Sequence, residues 1–589
     1  MIVPMKKATI LVLAENAEPT VTALRKWGVL HVEHQNPPES TEIPVLRERV
    51  THIDSALGIL HITGGQKELP QRIIDADRVA YADRIIAFGK EREELESSLR
   101  ALRSSIAEWE PWGDIDAGQV RKLEKNGIYV KLFQVPARNL DQVPDDAVVK
   151  ILARTGSIAR VAVIARHPFD AQFDETIPPE EGLAALRVRL AETTVSLTKV
   201  NEEIVCAAGS SDDLARLKKE LEQEIEFRQV LNGMGVEGRI AHVTGYIPYD
   251  REVDLITESK NHHWGIVITD PEPEDTVPTL LRNPPWVERI RPVLDLLGIT
   301  PGYREPDISM LFLIFLGIFF GILIGDAGYG LGYILIALVL QNVLKPSEGL
   351  MTTFSLFYLM GSCAIVWGIL TGTFFGQSWL LNLGYQPLVP QLNDPDDMQT
   401  FCFFLGALHL SIAHSWRAYL KFPSLTAIAD AGWICILWAA FFLARTLVLG
   451  AAFPSSGIWL IAGGIVLVVA FTYPQSSLLR TIGSGMGAIA LSLVNNLTDI
   501  ISYIRLFAVG LATLAIAETV NTLASGFGPG AVALVAGGAI FLLGHSVNMI
   551  LGLLSVLVHG VRLNVLEFSG HANVTWSGVA YDPLKEGRG

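Results

Sequence analysis

The feature that most constrains this chain is an abrupt loss of charge near residue 308. The 589 residues carry 46 basic and 61 acidic side chains, but 309–589 hold only 9 basic and 11 acidic ones. The remaining 37 and 50 fall in 1–308, a density normal for a water-exposed domain. A back half so poor in charge cannot cover itself with a solvated surface, so its helices face lipid. A mean hydropathy of +0.35 and a net charge of −15 agree with an acidic soluble front joined to an apolar rear. No dense basic face exists, which excludes nucleic-acid binding. The four cysteines form no C-x-x-C and no disulfide framework. No phosphate-loop motif occurs, since "FGKERE" at Phe88–Glu93 is a chance Gly-Lys on a helix; self-contained ATP hydrolysis has no support. No cofactor or metal site is expected. The N-terminus lacks a secretory apolar run, which places 1–308 in the cytosol.

The front half reads as α/β lobes joined by long helices. Ala8–Leu13, Val29–His34, Gly127–Phe133, Ile158–Ala165, Gly238–Tyr246 and Gly265–Thr269 read as strands, and Glu18–Trp27 as a helix. Leu95, Leu99, Leu102, Ile106 and Trp109 step by four and three with charges outside, the seam of a coiled coil. Leu186, Leu190, Leu197, Val200 and Ile204 form a second seam, which resumes at Leu214, Leu217, Leu221 and Ile225. The expected organisation is a proximal lobe from 1–70 with 233–300, antiparallel coiled-coil arms at 71–112 and 183–232, and a distal lobe at 113–182. Such a rod reaches about 45–70 Å at the helical rise. It transmits force or holds partners apart and carries no active site.

Apolar runs in 309–589 predict an α-helical polytopic domain of about eight spans: 309–324, 330–344, 353–378, 400–416, 426–449, 456–472, 484–523 and 531–566. The first run is interrupted by Gly325, Asp326, Ala327, Gly328, Tyr329 and Gly330, which argues for a hairpin turn at Gly325, Asp326, Gly328 and Gly330. Lys345, then Arg417 and Lys421, then Arg480, then Arg562, Lys585 and Arg588 fall in alternate loops or ends, while the intervening loops lack Lys and Arg. A cytosolic front half and a positive interior at Arg417 require an even number of crossings between them. The hairpin supplies the even count, and both termini are then cytoplasmic.

Most spans are bland, and the last two are not. The run 485–522 is about 38 residues, ~57 Å if helical, so it must tilt or kink. It carries Asn495, Thr498, Ser502 and Arg505 along one stripe. The final run carries His545, Asn548, Ser555, His559 and Arg562, mostly on one face. Arginine cannot shed its proton to escape the cost of an apolar interior, so Arg505 needs an anion or water. In its own helix Asp499 is off the Arg505 face and Glu518 is over three turns away, so the expected partner is another chain.

Around these residues, "SYIRLFAVGLATLAIAE" (Ser502–Glu518) and "GHSVNMILGLLSVLVHGVRLNVLEFSG" (Gly544–Gly570) closely resemble the last two membrane helices of the a subunit, or subunit I, of rotary V/A-type ATPases of the archaeal and bacterial type. "FGILIGDAGYG" (Phe320–Gly330), "WGILTGTFFG" (Trp367–Gly376) and the linker Pro284–Asp307 are similar to further segments of that family. By motif, Arg505 and Arg562 match the family's two membrane arginines. Glu518, His559 and Glu567 fall on positions lining the ion path or its mouths. The chain departs from the pattern at Pro306-Asp307, at Gly570-His571 and at Thr513, where eukaryotic relatives have histidine.

The resemblance implies a non-catalytic stator facing a ring of proteolipid (c or K) subunits, each with one membrane carboxylate. Two half-channels would carry protons or sodium to and from that carboxylate. The implied partners are the ring, its central-stalk cap subunit, peripheral stalk subunits on the front half, and the lipid of a prokaryotic, archaeal plasma membrane. The competing readings are a secondary transporter with its site at the broken first helix, and a membrane scaffold without transport.

Overall fold

The computed structural model describes residues 1–33, 37, 40–63, 77–136, 147–169, 173–344, 346, 348–377, 384–472, 489, 492–527 and 530–586. His34, Lys345, Arg480 and Arg588, used in the sequence reading, lie outside them. The chain divides into two compact units, 1–8 with 245–261 and 266–583, and 9–244 with 262–265 and 584–589. Strands β1 (Met5–Leu13), β2 (His31–Glu33), β6 (Gly235–Glu237), β7 (Ile240–Pro248) and β8 (Gly265–Thr269) form a sheet ordered β2-β7-β1-β8 with β6 on β7.

In the second unit, helix α1 (Ala17–Trp27) ends at Gly28, whose left-handed φ of 68° only glycine adopts freely. Four long helices follow: α2 (Glu42–Thr63), α3 (Arg78–Trp109), α5 (Leu183–Ala208) and α6 (Ser211–Asn232). Ile53, Leu57 and Leu60 of α2 share one core with Ile85, Val200, Ile204, Leu214 and Leu217. The start of α3 meets the end of α5 there, while Trp109 meets Leu183 at the other end, so the two helices run in opposite directions. Glu42–Thr63 is a helix packed among the long helices, because its apolar residues repeat at helical spacing.

At the far end, α4 (Ala117–Lys125) precedes a three-stranded sheet in the order β3-β5-β4, from Tyr129–Pro136, Ile158–Ala165 and Val148–Thr155. Both pairings are antiparallel, with Tyr129 opposite Ala165 and Val148 opposite Ile164. Phe133, Val135, Val161 and Val163 fill one face, and Leu132 with Ala162 meets Trp109, Trp112 and Leu183 on the other. The sequence reading lacked β4. It is an edge strand whose Val148 and Ile151 are exposed, so no alternation of buried and polar positions announces it.

Among the described residues the first unit holds the helices α9 (Ser309–Ile324), α10 (Ala327–Leu344), α11 (Glu348–Thr371), α12 (Pro395–Lys421), α13 (Thr426–Leu449), α14 (Ser455–Phe471), α15 (Ser492–Ser525) and α16 (Leu534–Ala572), of which all but α12 are predominantly apolar. They follow α7 (Glu252–His262) and the short α8 (Arg291–Leu297). Five are long and apolar enough to cross a membrane (α10, α11, α13, α15 and α16), while α9 and α14 are apolar but shorter. The first break is tighter than its sequence suggests. Gly325 closes α9 in the left-handed region and α10 restarts at Ala327, so only Gly325 and Asp326 turn. Gly328 and Gly330 lie inside α10. They are small for packing: a Cβ on Gly330 would sit 2.6 Å from the Gly361 carbonyl, and one on Gly328 2.5 Å from the Phe375 ring.

Glu305, just before α9, accepts hydrogen bonds from the Gly302 N–H (2.7 Å) and from the backbone N–H (2.8 Å) and hydroxyl of Thr575. Burial pushes its carboxyl up, but these bonds outweigh burial and hold it below the usual range. A lowered carboxylate pKa stabilises above the unfolded value, and that contribution disappears as pH falls through the lowered one. The Thr575 amide should therefore be better protected from hydrogen exchange in wild type than in Glu305→Gln at neutral pH. The difference should shrink as pH falls below about 4 and vanish once the folded-state carboxyl is protonated.

Candidate functional site: a guanidinium pair on α15 and α16

The long helix α15 does not run straight to Arg505. At Tyr503 the helix is interrupted, and Tyr503 N–H bonds the Ile500 carbonyl three residues back (3.2 Å). The Ser502 hydroxyl donates to the Asp499 carbonyl at 2.7 Å, the kind of local bond that bends helices. The Ser502 carbonyl instead accepts from Arg505 Nε at 2.9 Å. Tyr503, fully buried, bonds His409 Nδ1 of α12 at 2.8 Å, and His409 stacks on Phe315 and Phe568. The expected kink is thus one residue long and pinned from three helices.

The last helix deviates too. Val556–Gly560 and Leu563–Phe568 are π-helical turns on either side of Arg562. A π turn closes at the fifth residue, so Arg562 and Glu567, five apart, come to one face. Glu567, 6% exposed, receives Arg505 Nη2 on Oε1 at 2.5 Å, and Arg562 Nε stands 3.7 Å from the same oxygen. The Ser502 hydroxyl lies 3.2 Å from it. The expectation that Arg505 lacks a partner in its own chain is therefore corrected: Glu567 of α16 is one. Two cations share that single carboxylate, which leaves the cluster with one positive charge in excess. Half-buried His559 sits in the field of both guanidiniums.

The other sequence candidates separate into groups. Glu518 is exposed on α15 and lines a cleft of about 240 Å³ with Leu506, Gly510, Leu514, Thr373 and Asp394. His545 and Asn548 are buried away from the arginines, bonded to the Tyr329 hydroxyl of α10 at 2.7 and 2.8 Å; Asn548 also reaches the Thr513 carbonyl at 2.8 Å. Asn495 and Thr498 are exposed and Ser555 is half-buried. Asp326, 2% exposed, accepts from the N–H groups of Gly328 (2.7 Å), Tyr329 (3.1 Å), Phe375 (2.8 Å) and Gly376 (2.8 Å). Its carboxylate caps α10 and ties down the segment after α11, a structural role. Among the described residues no cluster of His, Cys, Asp and Glu is suited to hold a metal ion.

Sequence reasoning passed over a second charged cluster. Asp430 of α13, 1% exposed, pairs with Lys421 (2.6 Å), Arg417 (3.5 Å) and His414 (3.1 Å) of α12. His414 Nε2 meets His571 Nδ1 at 3.0 Å, and His571 Nε2 meets Asp499 at 3.1 Å. The available signal was Asp430 itself, a lone acid inside an apolar run.

Over its full length the chain is 31% identical to V-type ATP synthase subunit I 1 of Treponema pallidum (strain Nichols), with all of both chains covered. The chain belongs to the subunit I family of V-type ATP synthases. A subunit I from Borreliella burgdorferi is 29% identical, again with both chains fully covered. The A-type ATP synthase subunit I of Methanocaldococcus jannaschii is 26% identical over 60% of this chain and 56% of that one. Among solved structures, a crystal structure of the cytoplasmic N-terminal domain of subunit I, homolog of subunit a of V-ATPase, aligns with 45% of this chain and 100% of its own at 15% identity and a TM-score of 0.24. No protein-family profile matches the chain. Family membership makes this subunit I relative a non-catalytic membrane subunit of a rotary ATP synthase complex.

Removing the charge of Glu567 leaves two guanidiniums without their shared counter-ion, at a cost of about 1–3 kcal/mol after allowing for the partial exposure of both arginines. Glu567→Gln should lower the apparent melting midpoint of the detergent-solubilised protein, and Glu518→Gln, exposed, should leave it unchanged.

Proposed function

We propose that this chain is the stator that carries ions past the rotating proteolipid ring. The observation supporting it is the excess positive charge at Arg505, Arg562 and Glu567. Arg505 keeps 22% of its side chain exposed and Arg562 53%. In an apolar setting that surplus is stabilised by one further anion presented from outside the chain. A ring carboxylate meets the need. When protonated it travels facing lipid. Opposite the guanidiniums its ionised form is favoured, so it releases its ion there.

The cleft from Leu506 to Glu518 on one side of Arg505, and the face with His559, Arg562 and Glu567 on the other, serve as the two half-channels. Ions then cross only by riding the ring. The exposed apolar residues of α16, including Leu542, Leu543, Val547, Ile550 and Leu554, give the ring and lipid a surface without charge. Eight crossings with both termini in the cytoplasm of a prokaryotic cell fit the loop charges. The front half then serves as an antiparallel coiled-coil strut that anchors peripheral stalks, and the region near the ring axis meets the central-stalk cap subunit. A transporter site at the first break has less support, because the four N–H groups on Asp326 already satisfy that turn.

Arg505→Ala in the complete complex should abolish ATP-driven ion pumping into inverted vesicles while the complex still assembles; normal pumping would remove Arg505 from the mechanism. Deleting residues 113–182 should release peripheral stalk proteins without losing the membrane half, and a pull-down with unchanged stalk retention would contradict the anchoring role.

A further inference from the structure

The basic residues described within the membrane helices are Arg417, Lys421, Arg445, Arg505 and Arg562. Arg505 and Arg562 share Glu567, and Arg417 and Lys421 share Asp430. Arg445 of α13 is the exception. Among the described residues it has no ion pair or hydrogen bond, and its Nε is buried without a partner. The stretches of 309–589 outside the described residues contain no aspartate or glutamate that could serve instead. A guanidinium cannot lose its charge, so this one needs an anion from outside the chain.

Arg445 lies four residues before the end of α13, ~6 Å along the helix axis. On the topology proposed above, that end faces away from the cytoplasm, at the depth where the polar edge of the bilayer begins. The guanidinium carbon stands 5.9 Å from the centre of the Phe441 ring. Phe404 of α12 and Trp438 meet that ring edge-on at 6.5 and 5.8 Å, so the cation rests on a braced aromatic platform. Trp459, 78% exposed near the start of the adjoining α14, is placed as tryptophans at a membrane interface are. Deeper along α12, Phe404 and Leu408 are exposed and offer a track for an acyl chain.

The nearest acids define the headgroup. Helices α12 and α13 run antiparallel, since Lys421 meets Asp430 and Phe404 meets Phe441. Continued one turn, that register sets Arg445 opposite Thr400 and Phe401, one turn deeper than Asp396 and Asp397. Both aspartates are exposed and beyond ion-pair reach of Arg445, and their N–H groups bond the Asp394 side chain that caps α12. Positive charge therefore lies deeper and negative charge further out. A zwitterionic headgroup, with its phosphate next to the glycerol and an ammonium beyond, has the complementary order. A headgroup carrying only negative charge would meet the aspartates with repulsion.

We propose that Arg445, with Asp396 and Asp397 beyond it, binds the phosphoethanolamine headgroup of one outer-leaflet phospholipid. The fork of Arg445 donates to the phosphodiester, and the ammonium donates to the aspartates. The site rests on the reading above only for its leaflet and makes no use of ion transport.

The test reconstitutes the complete complex with phosphatidylethanolamine or phosphatidylglycerol, re-extracts it, and counts retained lipid by mass spectrometry. Wild type should hold one more phosphatidylethanolamine than Arg445→Gln, with affinity about tenfold higher, and Arg445→Lys should fall between them. Asp396→Asn with Asp397→Asn should abolish the preference for phosphatidylethanolamine over phosphatidylglycerol. Excess inorganic phosphate should not displace the lipid. Equal retention in wild type and Arg445→Gln, no headgroup preference in wild type, or displacement by free phosphate overturns the site. If Arg445→Gln does not assemble, the wild-type headgroup preference and the Lys variant decide. A cysteine at Leu447 should react with a membrane-impermeant maleimide from outside the cell. Reaction only from the cytoplasmic side overturns the topology and the assigned leaflet together, whereas outside reaction with unchanged lipid retention overturns the site alone.

Discussion

A permanently charged guanidinium in an apolar helix governs the membrane half. A lone buried charge costs several kcal/mol even when water reaches part of it. Glu567 offsets much of that cost for Arg505 at 2.5 Å. Because Arg562 leans on the same oxygen, one carboxylate serves two cations and the account stays open by one charge. On the proposed stator reading, that residual charge is what a ring carboxylate answers. A fully neutralised arginine would hold a bundle together and do nothing else.

The surrounding irregularities all serve to hold this arrangement. The break at Tyr503 turns the Ser502 carbonyl toward Arg505 Nε, and His409 fixes Tyr503 from α12. Two π turns bring Glu567 and Arg562 to a common face. On the cleft side, Asp326 uses one carboxylate to hold both the start of α10 and the segment containing Phe375 and Gly376. Backbone that departs from regular helix is tolerated at membrane depth only where such groups satisfy it.

The helices of the membrane half were legible because runs of apolar residues about one bilayer long leave few alternatives. The break at Gly325 and Asp326 was also legible, but Gly328 and Gly330 were misassigned to the turn. A glycine needed for close helix packing has the same letter as one needed for a left-handed φ. Arg505 announced itself by its charge. Its partner did not: counting faces at 3.6 residues per turn along α15 finds no acid, and Glu567 reaches it from another helix through π turns that shift the register. The His414–His571 contact joins residues 157 positions apart, and no local pattern encodes it. In the front half, helix Glu42–Thr63 was hidden among α/β signals because its pairing with the later long helices is equally non-local.

The most direct measurement of the central claim is a cross-link from a cysteine placed at Val509, one turn beyond Arg505 on α15, in membranes containing the whole complex, followed by mass spectrometry. The account predicts a product with a small proteolipid, at or beside that protein's membrane carboxylate. Products confined to this chain, or no product in a complex that still pumps, would contradict it.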